Sequence, residues 1–176
     1  SEQNKDDLVK IETPEKWQPE KLISDDFKEI LHSDRLEPEK KAKAVYESSL
    51  NIMDNLLKNP TARNIKEFKE GAAEIVDLLL DDDTTSHYLL NITSHDYYTY
   101  THSVNVGVYS ILLAKSLFGN SNNHNLQEMG AGFFLHDIGK TRIDPDIINK
   151  RGELTESEYE EIKTHPYRGY EILSET

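Results

Sequence analysis

The sequence predicts an all-α protein, and three of its features lead to that expectation. Between residues 38 and 80, apolar side chains recur at intervals of three and four, which is the period of an amphipathic helix. From Asp96 to about Phe118 the chain is apolar nearly all round, as in a helix at the centre of a bundle. No stretch alternates apolar and polar residues over the length of a convincing strand.

The first two segments of the chain differ in composition. Residues 1–35 are acidic and lack a sustained apolar period, so we expect a linker or the tail of an upstream domain with one short helix near its end. Residues 36–92 are expected to form a helical hairpin or a helical linker region. Its predicted helices run from Pro38 to Asn59, from about Asn64 to Leu80, and through a short third helix that Thr84 or Thr85 would cap.

The third segment, residues 93–176, is expected to contain the main domain. A long helix would open at Asp96 and pack a neighbour closely at Gly107, where glycine costs a helix roughly 1 kcal/mol relative to alanine. A shorter helix follows at 126–136. Thr155 and Glu158 match a capping box, which predicts a helix from about residue 156, and a last helix is expected over 167–173.

The composition excludes several classes of protein. A net charge of −13 argues against a protein that binds nucleic-acid polymers, because such proteins neutralise phosphates with a basic face. The chain has no cysteine, and therefore no disulfide, no thiolate metal site and no cysteine nucleophile, which agrees with a reducing cytoplasm. It also lacks an apolar run near the roughly 18 residues of a membrane span and a signal-peptide pattern.

The pentapeptide His136-Asp137-Ile138-Gly139-Lys140 directly follows an apolar run. Ionisable groups next to a hydrophobic core are costly unless they are paired or bind a metal. A neutral imidazole beside a carboxylate suits a divalent cation, and Lys140 is placed to meet an anion. A His-Asp pair that ends a helix before a glycine turn is the alternative reading of these residues.

Two further histidines extend this candidate site. His102 shares a helical stripe with Val106, Tyr109 and Leu113, a predicted core face on which a hydrogen-bonded structural histidine is the alternative to a metal ligand. His165 precedes a proline at a helix junction. If consecutive helices are antiparallel neighbours, His102 would lie beside the His136-Asp137 pair. Imidazole and carboxylate ligands without a thiolate suit Fe, Mn or Zn.

The order of these motifs resembles a known family. His102 and the doublet His136-Asp137, in a pattern that a later acidic residue completes, resemble the HD superfamily of metal-dependent phosphohydrolases. The resemblance is closest to its HD-GYP branch and extends over about residues 93–176. It rests on the runs Tyr98-Thr-Tyr-Thr-His-Ser-Val-Asn-Val106, His136 to Lys140, Pro145, Ile148, Lys150, Gly152-Glu-Leu-Thr155, Lys163-Thr-His-Pro166 and Gly169.

This resemblance implies a cyclic di-GMP phosphodiesterase with a helical-bundle HD domain. It makes His102, His136, Asp137 and His165 metal ligands, with Asp137 bridging two divalent metal ions (Fe, Mn or Zn). Asp137 and Lys140 would be the catalytic residues, Lys140 by contacting a substrate phosphate, and a metal-bound hydroxide would attack the phosphodiester.

Arg142 and Lys150 are weaker candidates for contacts to guanine or phosphate, with an exposed loop charge as the alternative for each. A third metal ion is not expected, because Tyr98 stands where some relatives carry a glutamate.

The resemblance also predicts that the domain is C-terminally incomplete in this chain. The family's later His-His pair, Gly-Tyr-Pro loop and final aspartate have no counterpart here, so we expect weak metal binding and little activity from these residues alone. An HD phosphohydrolase that acts on another nucleotide, and a degenerate HD domain that serves in sensing or protein interaction, are the alternatives. An upstream sensory or receiver domain, and a homodimer formed through the helices at 38–80, complete the expectations.

Overall fold

The computed structural model describes residues 21–93, 98–119 and 124–176. These residues form helices and no strand, so the prediction of an all-α fold is confirmed. The helices are α1 (Asp25–Leu31), α2 (Pro38–Lys58), α3 (Ala62–Asp81), α4 (Asp83–Ile92), α5 (Thr99–Phe118), α6 (Leu126–Leu135), α7 (Pro145–Ile148), α8 (Glu156–Lys163) and α9 (His165–Ser174), with a 3₁₀ helix at Ile138–Arg142 between α6 and α7.

Polar side chains begin several of these helices by accepting hydrogen bonds from their free backbone amides. Thr61 caps α3 by accepting from the amide of Asn64. The capping box predicted for α8 is confirmed, because the Thr155 hydroxyl and the Glu158 carboxylate each accept from the other residue's amide. The predicted opening of α5 at Asp96 lies outside the described residues.

The cap of α4 differs from the prediction. Neither Thr84 nor Thr85 begins the helix; the Asp82 carboxylate accepts from the Thr85 amide at 2.9 Å and from the Thr85 hydroxyl at 2.6 Å. A carboxylate also interacts favourably with the positive end of the helix dipole, which a threonine hydroxyl does not. The buried Lys41 ammonium lies 3.7 Å from the same carboxylate and compensates its charge.

The core lies between α2, α3, α5 and α6. α2 packs against α4 and α5, while α3 and α5 both pack against α6. Phe68 of α3 and Phe134 of α6 meet edge to face, with ring centroids 6.0 Å apart. Both rings are almost fully buried, so α6 is held between its neighbours just before the His136-Asp137 pair.

The close approach predicted at Gly107 is confirmed. A Cβ atom at Gly107 would lie 2.2 Å from Cδ1 of Phe134, so a larger residue at this position would displace the ring. This contact brings α5 and α6 together, and it therefore determines how near His102 comes to His136.

The orientation of α5 corrects the prediction of a helix that is buried all round. Its core face carries Val104, Val108 and Ile111, whereas Tyr109 and Leu113 of the predicted stripe are 44% and 59% exposed. α5 is apolar on both faces, so its sequence period cannot show which face turns inward. The stripe that carries His102 faces outward.

The segment before residue 35 takes part in the same core. Ile23, Phe27 and Leu31 are buried, and the backbone amide of Ile23 donates to the Glu67 carboxylate at 2.9 Å. The division of the chain at residues 35 and 92 stays a prediction. None of the helices among the described residues has the length and apolar character needed to cross a bilayer.

Candidate metal centre

Asp137 lies at the centre of the candidate site and is only 3% exposed. It follows the last turn of α6 and precedes the 3₁₀ helix. Leu135 and Ile138 on either side of the His136-Asp137 pair are both buried in the core, so the backbone of this doublet is firmly anchored. A carboxylate buried in this way needs cationic or hydrogen-bonding partners.

The partners of Asp137 divide between its two oxygens. The Oδ2 atom lies 3.6 Å from Nε2 of His102, 3.3 Å from Nε2 of His136 and 2.6 Å from Nζ of Lys140. The Oδ1 atom lies 3.3 Å from Nε2 of His165. Side chains from α5, the end of α6, the 3₁₀ helix and α9 therefore converge on one carboxylate.

Backbone carbonyl groups orient two of the imidazole rings. Nδ1 of His136 lies 2.8 Å from the carbonyl oxygen of Phe133, and Nδ1 of His165 lies 2.8 Å from that of Ile162. A carbonyl oxygen can only accept, so Nδ1 carries the proton in each ring. In a neutral ring Nε2 is then an unprotonated acceptor, and it faces the carboxylate of Asp137.

This donor set fits a metal ion. An unprotonated Nε2 and a carboxylate oxygen repel each other at 3.3 Å unless a proton or a cation lies between them. An imidazole whose Nδ1–H donates to a backbone carbonyl, leaving Nε2 free to bind the ion, is a usual arrangement around protein-bound metals. Ligand atoms of His102, His136 and Asp137 all lie within 4.8 Å of one another, which is close enough to share one ion.

The electrostatic environment shifts the pKa of three of these groups, and not all of the shifts favour metal binding. Burial by itself raises the pKa of Asp137, but the hydrogen bonds from His136 and Lys140 outweigh it and hold the pKa well below its ordinary value. Burial lowers the pKa of His102, which favours the neutral ring that a metal requires. The hydrogen bond with Asp137 raises the pKa of His136.

Comparison with known families agrees with this geometry. Residues 99–176 match the family model described as HD domain. The match covers less than half of the chain, and over these residues the chain is similar to the HD domain family. The recognition made from the motif series is thus confirmed, and the match begins with α5 and includes all four residues that surround Asp137.

Three cyclic di-GMP phosphodiesterases are similar in sequence to part of this chain. The cyclic di-GMP phosphodiesterase PA4108 of Pseudomonas aeruginosa is 38% identical over 85 residues, which are 48% of this chain and 20% of that protein. The cyclic di-GMP phosphodiesterase response regulator RpfG of Xanthomonas campestris is 41% identical over 63 residues, 36% of this chain and 16% of the relative. The cyclic di-GMP phosphodiesterase PdeB of Borreliella burgdorferi is 35% identical over 77 residues, 44% of this chain and 20% of the relative.

The matched part of this chain thus spans no more than a fifth of each relative. No solved structure gives a significant match.

Arg142 and Lys150, the weaker candidates for substrate contacts, form ion pairs with glutamates of α9 and α8. Arg142 pairs with Glu171 of α9 at 3.5 Å, and Lys150 pairs with the Glu158 carboxylate that also completes the cap of α8. No contact between either residue and Asp137 is found among the described residues. Their role in substrate binding stays a prediction, as do the ligand roles of Asp137 and the three histidines around it.

One feature of the site was not predicted from the sequence. The backbone of Gly139 touches the backbone of α9 at His165 and Gly169. The available signal was the spacing of the two glycines, two residues after Asp137 and four residues after His165.

Proposed function

We propose that this chain is part of a metal-dependent phosphodiesterase that hydrolyses cyclic di-GMP. The HD domain and the names of its relatives support a phosphohydrolase. The observation that carries the proposal is that both oxygens of the buried Asp137 carboxylate face imidazole nitrogens from different helices. Hydrolysis of a phosphodiester needs cations at the phosphate and an activated water, and this donor set suits both tasks.

Asp137 would hold two divalent ions, one at each carboxylate oxygen. His102 and His136 would ligate the ion at Oδ2, and His165 the ion at Oδ1, with Fe, Mn or Zn as the metals that imidazole and carboxylate suit. When bound, such ions lower the pKa of coordinated water and neutralise charge on the substrate phosphate. Groups outside the described residues would contribute the remaining ligands.

Lys140 would contact a phosphate oxygen of the substrate. In the structure its ammonium lies 2.6 Å from Oδ2 of Asp137, where it compensates the carboxylate. A cation at that oxygen would repel the ammonium and turn it toward an incoming phosphate. Its side chain is 27% exposed, so this movement is open to it.

Arg142 and Lys150 would assist only if their ion pairs open. Arg142 would have to leave Glu171, and Lys150 would have to leave Glu158, before either could bind guanine or phosphate. Both pairs are partly exposed, and ion pairs of this kind open at a low free-energy cost.

The proposal also covers the cellular location, the neighbouring domain and the oligomeric state. A cytoplasmic location would place the enzyme with a nucleotide second messenger. An upstream sensory or receiver domain would act through the segment before α2, and a homodimer would form through α2 and α3.

The test is an assay of the full-length protein that carries this chain. The protein is purified without chelator, its metal content is measured, and loss of cyclic di-GMP is followed with added Mn, Fe or Zn beside a panel of other nucleotides. We expect turnover of cyclic di-GMP, its loss in Asp137→Asn, and its retention in Asp146→Asn, which alters an exposed aspartate of α7. A metal-loaded protein that leaves cyclic di-GMP intact would contradict the proposal, and turnover of another nucleotide would redirect it.

A non-catalytic HD domain is the second candidate. It is favoured by the Lys140 ammonium at 2.6 Å from Asp137, because a lysine in that position can neutralise the carboxylate without any metal ion. Metal analysis of the protein as purified separates the two, since a purely structural cluster would contain no stoichiometric metal.

A further inference from the structure

The 3₁₀ helix after Asp137 packs on the first two turns of α9. At Gly139 this contact is made by backbone atoms alone. A Cβ atom at Gly139 would lie 1.9 Å from the carbonyl oxygen of His165 and 2.5 Å from the amide nitrogen of Gly169. Both neighbouring atoms belong to the backbone, so they cannot turn aside as the end of a flexible side chain can. No residue other than glycine has space at position 139.

The requirement for glycine at this position is spatial and not conformational. Among the described residues Gly119 is the glycine with a positive φ, and Gly139 lies in a 3₁₀ helix that any residue can adopt. The space requirement is also local, because a Cβ atom at Gly132 or Gly152 would have no neighbour within 4 Å. These two positions therefore provide matched controls.

The contact joins the two backbone segments that carry opposite sides of the candidate site. Asp137 lies two residues before Gly139, and the atom that a Cβ at position 139 would approach most closely is the carbonyl oxygen of His165 itself. α9 packs chiefly on the 3₁₀ helix, with smaller contacts to α3 and α8. The distance between Oδ1 of Asp137 and Nε2 of His165 therefore depends mainly on how closely these two segments approach.

A methyl group at position 139 would change that distance. Relief of the clash to ordinary van der Waals contact requires the segments to separate by about 1.5 Å. Ligand distances in metal sites hold to within about 0.2 Å, so His165 would no longer reach an ion held by Asp137. The rings of His102 and His136 belong to α5 and the end of α6, and they would keep their places.

We propose that Gly139 is a positioning residue that lets α9 approach closely enough for His165 to share a metal ion with Asp137. The proposal rests on the proposed function for the ion, but the approach of the two segments is a property of this chain and can be measured without any metal.

The test compares Gly139→Ala with His165→Ala and with the controls Gly132→Ala and Gly152→Ala in the purified, metal-free chain. Mn²⁺ is titrated into each variant, and His165-dependent binding is defined as the part that His165→Ala removes. We expect Gly139→Ala to weaken the His165-dependent Mn²⁺ affinity by roughly 10- to 100-fold. The double variant Gly139→Ala/His165→Ala should bind Mn²⁺ as well as His165→Ala alone. Gly169→Ala should bind normally, because its Cβ atom would lie 3.4 Å from the Gly139 nitrogen.

A second readout needs no metal. Long-range ¹H–¹⁵N spectra of the imidazole rings should show the His165 signals shifted in Gly139→Ala, while those of His136 stay near their original positions. If the full-length protein binds no Mn²⁺ but the His165 ring of this chain shifts in this way, the proposed function fails and the positioning role holds. If the ring does not shift, the positioning role fails whatever the metal does.

The remaining outcomes also decide. Mn²⁺ binding by Gly139→Ala equal to that of Gly132→Ala would overturn the proposal, as would a further loss in the double variant. If Gly139→Ala loses its helical circular dichroism, Gly169→Val is tested in its place, because it changes the same contact from the side of α9. It should produce the same selective loss of His165-dependent Mn²⁺ binding. Unfolding of both variants would show that the contact serves the stability of the fold, which also overturns the proposal.

Discussion

The two oxygens of Asp137 face halves of the candidate centre that are built in different ways. On the Oδ2 side, His102 and His136 come from α5 and the end of α6, which pack through the buried Phe134 ring and Gly107. On the Oδ1 side, His165 comes from α9, which reaches the site through a glycine backbone contact.

The difference shows which half depends on the hydrophobic core. The Oδ2 side shares buried side chains with the centre of the bundle, whereas α8 buries no residue and α9 buries only Gly169 and Ile172. Structure held by few buried contacts opens at a lower free-energy cost. We therefore expect changes to affect the two sides separately, except at Asp137, which both share.

The largest effect is expected from Asp137→Asn, which removes the charge that both sides use. An amide cannot bridge cations, so Mn²⁺ affinity should fall on both sides by more than the roughly 10- to 100-fold that loss of an outer-shell group costs. Isothermal titration calorimetry measures this, with Asp146→Asn as the control of equal charge change. Unchanged affinity in Asp137→Asn would show that the carboxylate is not a ligand.

Next in size is the contrast between His136→Ala and His165→Ala. We expect His136→Ala to weaken the ion at Oδ2, and His165→Ala to spare that ion and remove the one at Oδ1. The number of Mn²⁺ ions bound per chain, followed by electron paramagnetic resonance, distinguishes these results. Loss of all binding in both variants would mean that the two sides share a single ion.

Lys140→Met separates charge compensation from metal binding. Without the ammonium at Oδ2, Mn²⁺ affinity should stay level or rise, since a competing cation has been removed. Turnover by the full-length protein should fall about 10²- to 10³-fold, as when one group that stabilises a transition state is removed. Lys163→Met, on the exposed face of α8, is the control, and undiminished turnover in Lys140→Met would exclude a phosphate contact.

The smallest effect is expected from the cap of α8, the helix that precedes α9 on the Oδ1 side. The hydrogen bond from Lys150 and that from the Thr155 amide lower the pKa of Glu158 to about 2. A depressed carboxyl pKa adds stability above its unfolded value of 4.5, and that stability is lost as the pH falls toward 2.

The protection factor of the Thr155 amide, which is its exchange rate corrected for the intrinsic rate at each pH, should therefore fall between these pH values, while the amides of α6 stay protected. Glu158→Gln, which cannot ionise, should remove this pH dependence. A profile that is the same in wild type and variant would assign the change to another group.

The sequence predicted the helices well and their orientation less well. α2 and α3 begin and end within a few residues of the expected positions, because their apolar period is regular and their ends carry prolines or capping residues. For α5 the predicted core stripe was wrong, since Tyr109 and Leu113 are exposed. Apolar residues on both faces leave the choice of the inward face to the helices that pack against it.

The candidate site shows the same division. The apolar run before His136, the adjacent carboxylate and the ordered later motifs were sufficient to select the four residues around Asp137. The carbonyl partners of His136 and His165 and the Gly139 contact were not foreseen, because they depend on how the backbone turns after α6 and where α9 lies.

By itself, the sequence determined the helical class, the limits of the main helices and the residue types suited to metal-dependent phosphoryl chemistry. These follow from local periodicity, capping and the cost of burying charge. Only the tertiary structure decided which face of α5 turns outward, how the oxygens of Asp137 divide among three imidazoles, and why position 139 must be glycine. Each of these depends on contacts between residues far apart in the chain, whose distances no local pattern encodes.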